Sequence, residues 1–573
     1  MESLNFTGHN RESFETTGDL LIFRIQGIID GLKKHYSMHQ LKYVFISILA
    51  ILFNLAMYPD LCGQNNNQLP RSTPEEQGVS SAGIVDFLNA VDTSDVELHS
   101  FMFLRHGYVI AEGWWKPYGP HYKHLLYSAS KTFTATAVGL AISENRLNVT
   151  DKVISFFPYS LPDSISDYMR QLTVQDLLTM SVGQDPEPRS FGNTGDWITA
   201  FIEADPVHKP GTVFKYNNMA TFMLSAIVQQ VTGETVFNYL MPRIFIPLGI
   251  RGIDWDLNPQ GINLGMIGLR LRTEDLAKFG VLLLNEGIWN KQQLIPKAWV
   301  EEATTFKIKT VEEPDENSDW AQGYAYQMWR GRGNSVRLDG MAGQFVVLFP
   351  DKDVIVVFTA NARDTQKELN LMHTYLIPAI RSDKALPSDS DTYNELLGRT
   401  RVLSISSDES QVRNRDFENK ISDREFALDP NDYNVQSVYF AFEKDKCIFA
   451  LKRDNRIESI HAGSGEWTFS NTSSTSLVAP PRNNISKSVD AHYSIPQPVI
   501  KLGALYAWTD SSTIEITGRF VEESLRSETI VCKFSEQFGA LRVSIEPKST
   551  GMPSRIPMRM QPVILRGSLV EIR

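Results

Sequence analysis

The pattern of apolar residues changes part-way along this chain of 573 residues, and that change limits the fold more than any other feature. Strand-like and helical patterns alternate through residues 74–382, with proline or glycine at nearly every junction. Residues 416–573 show only short strand-like runs, rich in β-branched and aromatic residues. Between them, residues 383–415 are dominated by Ser, Asp, Arg and Glu, and we interpret them as a linker. We therefore expect a mixed α/β domain followed by a C-terminal all-β domain, a small barrel or sandwich.

Paired apolar runs predict a β-hairpin at each end of the α/β domain. Phe101–Leu104 and Tyr108–Glu112 flank an Arg-His-Gly turn, and Phe345–Phe349 and Val354–Phe358 flank a Pro-Asp-Lys-Asp turn. Long helical patterns lie between the hairpins, at Thr132–Glu144 and Thr221–Thr232. This order predicts one antiparallel sheet built from both ends of the domain and flanked by helices, rather than a repeating βαβ barrel.

Residues 1–63 have the layout of an export leader. The apolar run Val44–Met57 follows several lysines and precedes the small residue Gly63. It is shorter than the ~20 residues that a membrane-spanning helix needs, and its length suits the apolar core of a signal peptide. Met38 is the candidate true start, because a chain beginning there has a short basic segment before the run. We expect export to the periplasm or the extracellular space, with retention as a membrane anchor as the alternative.

Charge and cysteine content argue against several classes of function. Asp and Glu outnumber Lys and Arg by 67 to 56, and the resulting net charge of −11 disfavours binding to nucleic acid. The three cysteines, Cys62, Cys447 and Cys532, lack the C-x-x-C spacing of a zinc site. We expect no metal and no cofactor. Whether Cys447 and Cys532 form a disulfide or remain free thiols is left open.

The strongest local signal is the stretch from Tyr127 to Lys131, Tyr-Ser-Ala-Ser-Lys, at the start of an Ala- and Thr-rich helix. In one interpretation Ser128 is a nucleophile and Lys131 its base, because positions i and i+3 share a helix face. Unpaired N–H groups at the helix start favour an oxyanion there. In the other interpretation Tyr127 and Lys131 form the Y-x-x-x-K pair of short-chain dehydrogenases. No glycine-rich dinucleotide turn precedes residue 127, which argues against hydride transfer.

A second motif runs from Pro210 to Asn218 and enters another helix. A tyrosine at this place, Tyr216, can transfer a proton beside Ser128, and the amide of Asn218 can orient a lysine and a substrate carbonyl. The structural alternative is a turn in which the tyrosine packs in the core and an asparagine caps the helix.

Together these motifs resemble those of the serine β-lactamase, penicillin-binding protein and esterase superfamily, closest to class C β-lactamases and their esterase-like relatives. The resemblance covers residues 74–382. Further matching stretches are Leu177–Gly183, Gly268–Gly280 and Gly323–Trp329. It implies a mixed α/β fold, with Ser128 as the nucleophile, Lys131 as its proton acceptor, Tyr216 as general acid or base and Asn218 as a positioning residue.

The third element of that superfamily is a K-T-G or H-x-G on the strand that lines the site. The matching stretch here is Asp339–Gln344, in which Met341 stands where a basic residue is common. This departure removes an anchor for the carboxylate of penicillins and D-alanyl peptides. Gly343 is expected to let the strand edge approach the substrate, and the Gln344 N–H to complete an oxyanion hole with the Ser128 N–H.

The sequence as a whole predicts a serine hydrolase that cleaves a small ester, amide or peptide substrate through an acyl-enzyme, closer to an esterase or amidase than to a true β-lactamase. It does not distinguish Lys131 from Tyr216 as the base. The alternative is a non-catalytic, penicillin-recognising protein that is acylated without turnover. The sequence carries no signal for the oligomeric state.

Overall fold

The computed structural model describes residues 68–188, 195–405 and 413–570, apart from residues 455, 473, 475, 480–486, 490–499, 524, 526, 538 and 551–563 in the last range. The described residues from Leu69 onward belong to one compact unit. The predicted leader, with its apolar run Val44–Met57, and Cys62 lie outside the described residues. Within the described part, no helix combines the length and the hydropathy needed to span a membrane.

The α/β part contains a main antiparallel sheet and a second, smaller sheet. Its strands are β1 (Leu98–Arg105), β2 (Tyr108–Trp114), β3 (His124–Leu125), β4 (Asp254–Asp256), β5 (Leu269–Leu271), β6 (Ile288–Trp289), β7 (Gln292–Gln293), β8 (Trp329–Gly331), β9 (Ser335–Gly340), β10 (Gln344–Phe349) and β11 (Val354–Ala360). The main sheet has the order β2-β1-β11-β10-β9-β8. Both predicted hairpins are present, and β1 of the first pairs with β11 of the second. The expectation that both ends of the domain build one sheet is therefore confirmed.

Helices form layers on both faces of the main sheet. They are α1 (Ser81–Asp92), α2 (Ser130–Ser143), α3 (Asp167–Gln171), α4 (Val174–Leu178), α5 (Trp197–Glu203), α6 (Asn218–Thr232), α7 (Val236–Leu240), α8 (Thr273–Leu284), α9 (Lys297–Thr304), α10 (Thr365–Leu371) and α11 (Ser390–Arg401). Side chains of β10 alternate between two cores. Val346 and Leu348 share a core with α2, α6 and α8, whereas Phe345 and Val347 share one with α1, α10 and α11. The mixed α/β fold predicted from the sequence is confirmed.

A closed barrel follows, preceded by helix α12 (Arg415–Ile421). Its strands and their neighbours are β12 (Arg424–Leu428), β13 (Ser437–Glu443), β14 (Lys446–Arg453), β15 (Arg456–Gly463), β16 (Thr468–Thr472), β17 (Lys487–Val489), β18 (Ile500–Trp508), β19 (Thr513–Phe520), β20 (Ser527–Gln537), β21 (Ala540–Thr550) and β22 (Leu565–Leu569). Within the described residues, nine of them run from β15 through β14, β13, β12, β22, β21, β20 and β19 to β18, and a β15–β18 pairing closes the circle. Aromatic side chains such as Phe440, Trp508 and Phe534 fill the interior. The predicted all-β domain is confirmed, and Cys447 and Cys532 are buried in it as free thiols.

The segment predicted as a linker, residues 383–415, contains helix α11. Asp389 caps this helix by accepting a hydrogen bond from the Thr392 N–H, and Leu396 and Leu403 pack into the same core as α1. Its sparse apolar residues hide this role, because only one leucine per few turns is buried. The boundaries at 383 and 415 remain a sequence prediction.

The second sheet connects the barrel to the strand that precedes Ser128. Its order is β17-β4-β5-β3, so β17 from the C-terminal part pairs with β4. Ion pairs add to this junction: Arg519 of β19 bonds both carboxylate oxygens of Glu97, and Glu523 pairs with the buried Arg270 of β5. Ser128 follows β3 by three positions, so the contacts between the barrel and this sheet also hold the segment that leads to Ser128.

Candidate active site

A tight turn presents Ser128 at the entrance of helix α2. Tyr127–Ala129 form a single 3₁₀ turn that continues into α2 at Ser130, and the Leu126 N–H donates to the Leu269 carbonyl of β5. Tyr127 has a φ of 47°, a left-handed conformation that is unusual for a tyrosine. Such a conformation persists only where its surroundings impose it, and it is common at functional sites.

The amine of Lys131 lies within hydrogen-bond distance of three oxygen atoms. Its Nζ is 3.1 Å from Ser128 Oγ, 2.9 Å from Asn218 Oδ1 and 2.9 Å from the Met266 carbonyl oxygen. The two carbonyl oxygens can only accept. A neutral lysine must therefore direct its two hydrogens at Asn218 and Met266, and its lone pair then faces Ser128. A neutral Lys131 amine in this packing can accept the proton of the Ser128 hydroxyl.

Burial sets the charge of this amine. Lys131 is 1% exposed, and the loss of water lowers its pKa from 10.5 to about 7, although the carboxylates of Glu187 and Asp339 act in the opposite direction. A substantial fraction of the amine is therefore neutral near pH 7, which a general base requires.

Tyr216 lies next to Ser128 and Lys131. Its ring centroid lies 4.9 Å from Lys131 Nζ, and the Ser128 side chain tends to lower the pKa of its phenol. Trp329 of β8 stacks nearly parallel to it, with centroids 6.1 Å apart. Exclusion of water raises the pKa of Tyr216 above its usual value, so the phenol is protonated at neutral pH and is a proton donor or relay in its resting state.

The two asparagines at the start of α6 have different roles. The Asn217 side chain caps the helix by accepting from the Ala220 N–H. Asn218 reaches Lys131 instead, and both its backbone N–H and its side-chain amide donate to the Glu187 carboxylate, at 2.5 Å and 3.1 Å. The capping and orienting roles that the sequence presented as alternatives are thus divided between neighbouring residues.

The glycine that meets the Ser128 turn is Gly340, and the expected role of Gly343 toward a substrate stays a prediction. A Cβ atom on Gly340 would lie 2.2 Å from the Leu126 carbonyl oxygen, so β9 approaches the turn as only glycine allows. Gly343 has a φ of 92°, and a Cβ there would lie 1.8 Å from a carboxylate oxygen of Glu368 in α10. The structure therefore places Gly343 against the opposite helical layer.

Gln344 uses its side chain to hold strands together. Its amide nitrogen donates to the Ala360 and Met341 carbonyl oxygens, and its Oε1 accepts from the Ala360 N–H. The oxyanion role of the Gln344 N–H stays a prediction. Met341, directly after Gly340, is 43% exposed at the end of β9.

Several residues at the site were missed in the sequence. Glu187, Asp339 and Trp329 contact or influence the catalytic candidates, and Met266 contributes only its carbonyl oxygen. Glu187 has a usable signal, since it follows the Leu177–Gly183 motif by four positions. A backbone carbonyl such as that of Met266 leaves no signal in side-chain identity.

Comparison with known proteins places these residues in a family context. The Beta-lactamase family model matches residues 96–378. A 6-aminohexanoate-dimer hydrolase of Paenarthrobacter ureafaciens is 26% identical over 283 residues, which are 45% of this chain and 71% of that protein. Protein flp of Staphylococcus aureus strain MRSA252 is 24% identical over 267 residues, 42% of this chain and 53% of that protein, so the match spans about half of the staphylococcal protein.

Two solved structures are among those similar to this chain. The octameric penicillin-binding protein homologue from Pyrococcus abyssi has 14% identity and a TM-score of 0.41, over 84% of this chain and 98% of that chain. EstCE1, described as a hydrolase with promiscuous acyltransferase activity, has 16% identity and a TM-score of 0.43, over 53% of this chain and 99% of that chain.

Proposed function

The chain belongs to the beta-lactamase family, and from this premise we propose that it is a serine hydrolase that cleaves an ester or amide bond through an acyl-enzyme on Ser128. The observation that carries the proposal is the set of three oxygen atoms around Lys131 Nζ, two of which can only accept hydrogen bonds. The neutral amine donates its two hydrogens to two carbonyl oxygens, so its lone pair is directed at Ser128 Oγ, which lies 3.1 Å from Nζ.

Acylation begins when Ser128 Oγ attacks the substrate carbonyl carbon and Lys131 accepts the hydroxyl proton. The Ser128 N–H, in the first turn of a helix start, stabilises the developing oxyanion. The end of β9 lies against this turn through Gly340, and we expect the Gln344 N–H that follows it to be the second donor. Tyr216 gives its phenolic proton to the leaving group when the tetrahedral intermediate collapses, and the proton held by Lys131 then restores the phenol.

Deacylation reverses this path with water as the nucleophile. Lys131, neutral again and 3.1 Å from Ser128 Oγ, takes a proton from the water that attacks the ester carbon. The released acid leaves with the oxygen of that water, and the proton returns to Ser128. No cofactor enters this scheme.

Features of β9 support neutral esters and amides as substrates in preference to penicillins. The basic residue of this strand, Arg337, is 1% exposed, and it pairs with Asp339 at 2.9 Å and lies 4.7 Å over the Trp320 ring. Its guanidinium is therefore already paired inside the protein and is not available to a substrate carboxylate. A relative is named for hydrolysis of the 6-aminohexanoate dimer, so that amide belongs in the substrate panel.

The proposal is tested with a fluorophosphonate probe and a substrate panel. We expect wild type and the control variant Ser143→Ala, altered at the far end of α2, to be labelled, and Ser128→Ala to remain unlabelled. Equal labelling of wild type and Ser128→Ala would refute the nucleophile. The panel contains short-chain esters, nitrocefin, D-alanyl peptides and the 6-aminohexanoate dimer. Labelling at Ser128 without turnover of any substrate would instead favour a protein that is acylated and does not hydrolyse.

A further inference from the structure

Glu187 occupies a position that decides which way the Asn218 amide points. Its carboxylate receives both the backbone N–H and the side-chain Nδ2–H of Asn218. A carboxylate only accepts hydrogen bonds, so the nitrogen end of the amide must face Glu187. The oxygen end, Oδ1, is then left to face Lys131 at 2.9 Å.

The direction of this amide matters for the base. With Oδ1 toward Lys131, the amine donates to it and keeps its lone pair for Ser128. With the amide reversed, a second N–H donor would face the amine. The only acceptor on a neutral lysine is its lone pair, which would then turn from Ser128 to Asn218.

Glu187 also contributes charge. Of the groups that act on Lys131 electrostatically, its carboxylate comes first and Asp339 second, and both oppose the effect of burial. Asp339 is paired with Arg337 at 2.9 Å, whereas the Glu187 carboxylate is half-buried and hydrogen-bonded to Asn218, which itself binds the amine. The other groups around the amine, Ser128 and Tyr216, are uncharged in the resting state.

We propose that Glu187 is a positioning residue that fixes the Asn218 amide and thereby directs the lone pair of Lys131 at Ser128. Hydrogen-bonded to Asn218, the same carboxylate also favours the protonated form of Lys131. This inference rests on the proposed function, because it assigns Glu187 to the acylation of Ser128.

The test measures the rate of fluorophosphonate labelling of Ser128 against pH in the full chain. Glu187→Gln keeps the shape of the side chain but presents an NH₂ group, which turns the Asn218 amide around. We expect the plateau rate to fall roughly tenfold, because the lone pair is diverted. We also expect the acid limb of the pH–rate profile to shift to lower pH by about one unit, because loss of the neighbouring carboxylate lowers the pKa of Lys131. Asp185→Asn is the matched control, since it removes a carboxylate of the same loop that pairs with the exposed Lys215. It should keep the wild-type profile.

A rescue variant distinguishes positioning from simple destabilisation. In the double variant Glu187→Gln with Asn218→Asp, the introduced glutamine amide can donate to the introduced carboxylate, whose other oxygen accepts from Lys131. The plateau should recover, and the acid limb should move above that of wild type because the negative charge is closer to the amine. A profile of Glu187→Gln that matches wild type would overturn the inference. So would a lower plateau with an unmoved acid limb and no rescue.

Failure of the proposed function would be recognisable separately. An NMR titration of ¹³Cε-labelled lysine reports the Lys131 pKa whether or not Ser128 reacts. If Glu187→Gln lowers that pKa while Ser128→Ala labels like wild type, the charge of Glu187 acts as inferred and the nucleophile is wrong. If the pKa is unchanged, the inference about Glu187 is wrong even for an active hydrolase.

Discussion

Replacing Lys131 by methionine should make the stability of the protein respond differently to pH. The unfolded chain carries a lysine with an ordinary pKa of 10.5, whereas burial lowers the folded-state pKa to about 7. Between these two values the unfolded chain binds more protons than the folded one, so the free energy of unfolding rises with pH. Methionine has a similar length and no charge, and the variant therefore lacks this contribution.

The magnitude follows from the two pKa values. Proton linkage makes the buried amine disfavour folding by about 4 kcal/mol at pH 7 and by about 2 kcal/mol at pH 9. Wild type should thus gain about 2 kcal/mol relative to Lys131→Met between these pH values. Hydrogen bonds and packing that methionine loses are nearly independent of pH, so they cancel in the comparison.

Urea denaturation of both proteins at pH 7, 8 and 9 measures this difference. Lys209→Met, at an exposed lysine of the same domain, is the control and should follow wild type at each pH. A stability difference between wild type and Lys131→Met that does not change with pH would refute the neutral resting amine. The Lys131→Met protein should also lose labelling of Ser128.

Two further substitutions test the contacts that position the site. Gly340→Ala would place a Cβ 2.2 Å from the Leu126 carbonyl oxygen, so labelling of Ser128 should fall by at least about tenfold. The control Gly398→Ala, with no atom within 4 Å of the new Cβ, should label like wild type. Normal labelling of Gly340→Ala would show that the close approach is not needed. Arg519→Met leaves Glu97 without its bidentate partner and should lower the free energy of unfolding by about 3 kcal/mol. Adding Glu97→Gln should recover part of this loss. If urea denaturation shows that the effects of the two changes are additive, the ion pair is not important for stability.

Local patterns were sufficient for most of the fold. The two hairpins follow from apolar runs around short turns, and helices α2 and α6 follow from long apolar segments with clear starts. The barrel follows from runs of β-branched and aromatic residues. Helix α11 was not predicted because it buries few apolar side chains, and its charged residues resemble those of a linker.

The catalytic candidates divide in the same way. Ser128 and Lys131 are one helical turn apart, so their spacing in the sequence already fixes their proximity. Tyr216 and Asn218 were found through a local motif, and the structure brings them to the same amine. The third element was different: the motif pointed to Gly343, whereas the structure places Gly340, three positions earlier, against the Ser128 turn.

The sequence by itself determined most of the helices and strands of this protein and its candidate reactive side chains, since both depend on neighbours within a few positions along the chain. Only the tertiary structure decided which glycine meets Leu126, because that contact joins residues more than two hundred positions apart. The same holds for the role of Glu187. A carboxylate that turns an amide, which in turn aims a lysine, acts through hydrogen-bond direction, and direction exists only when the folded chain places donors and acceptors together.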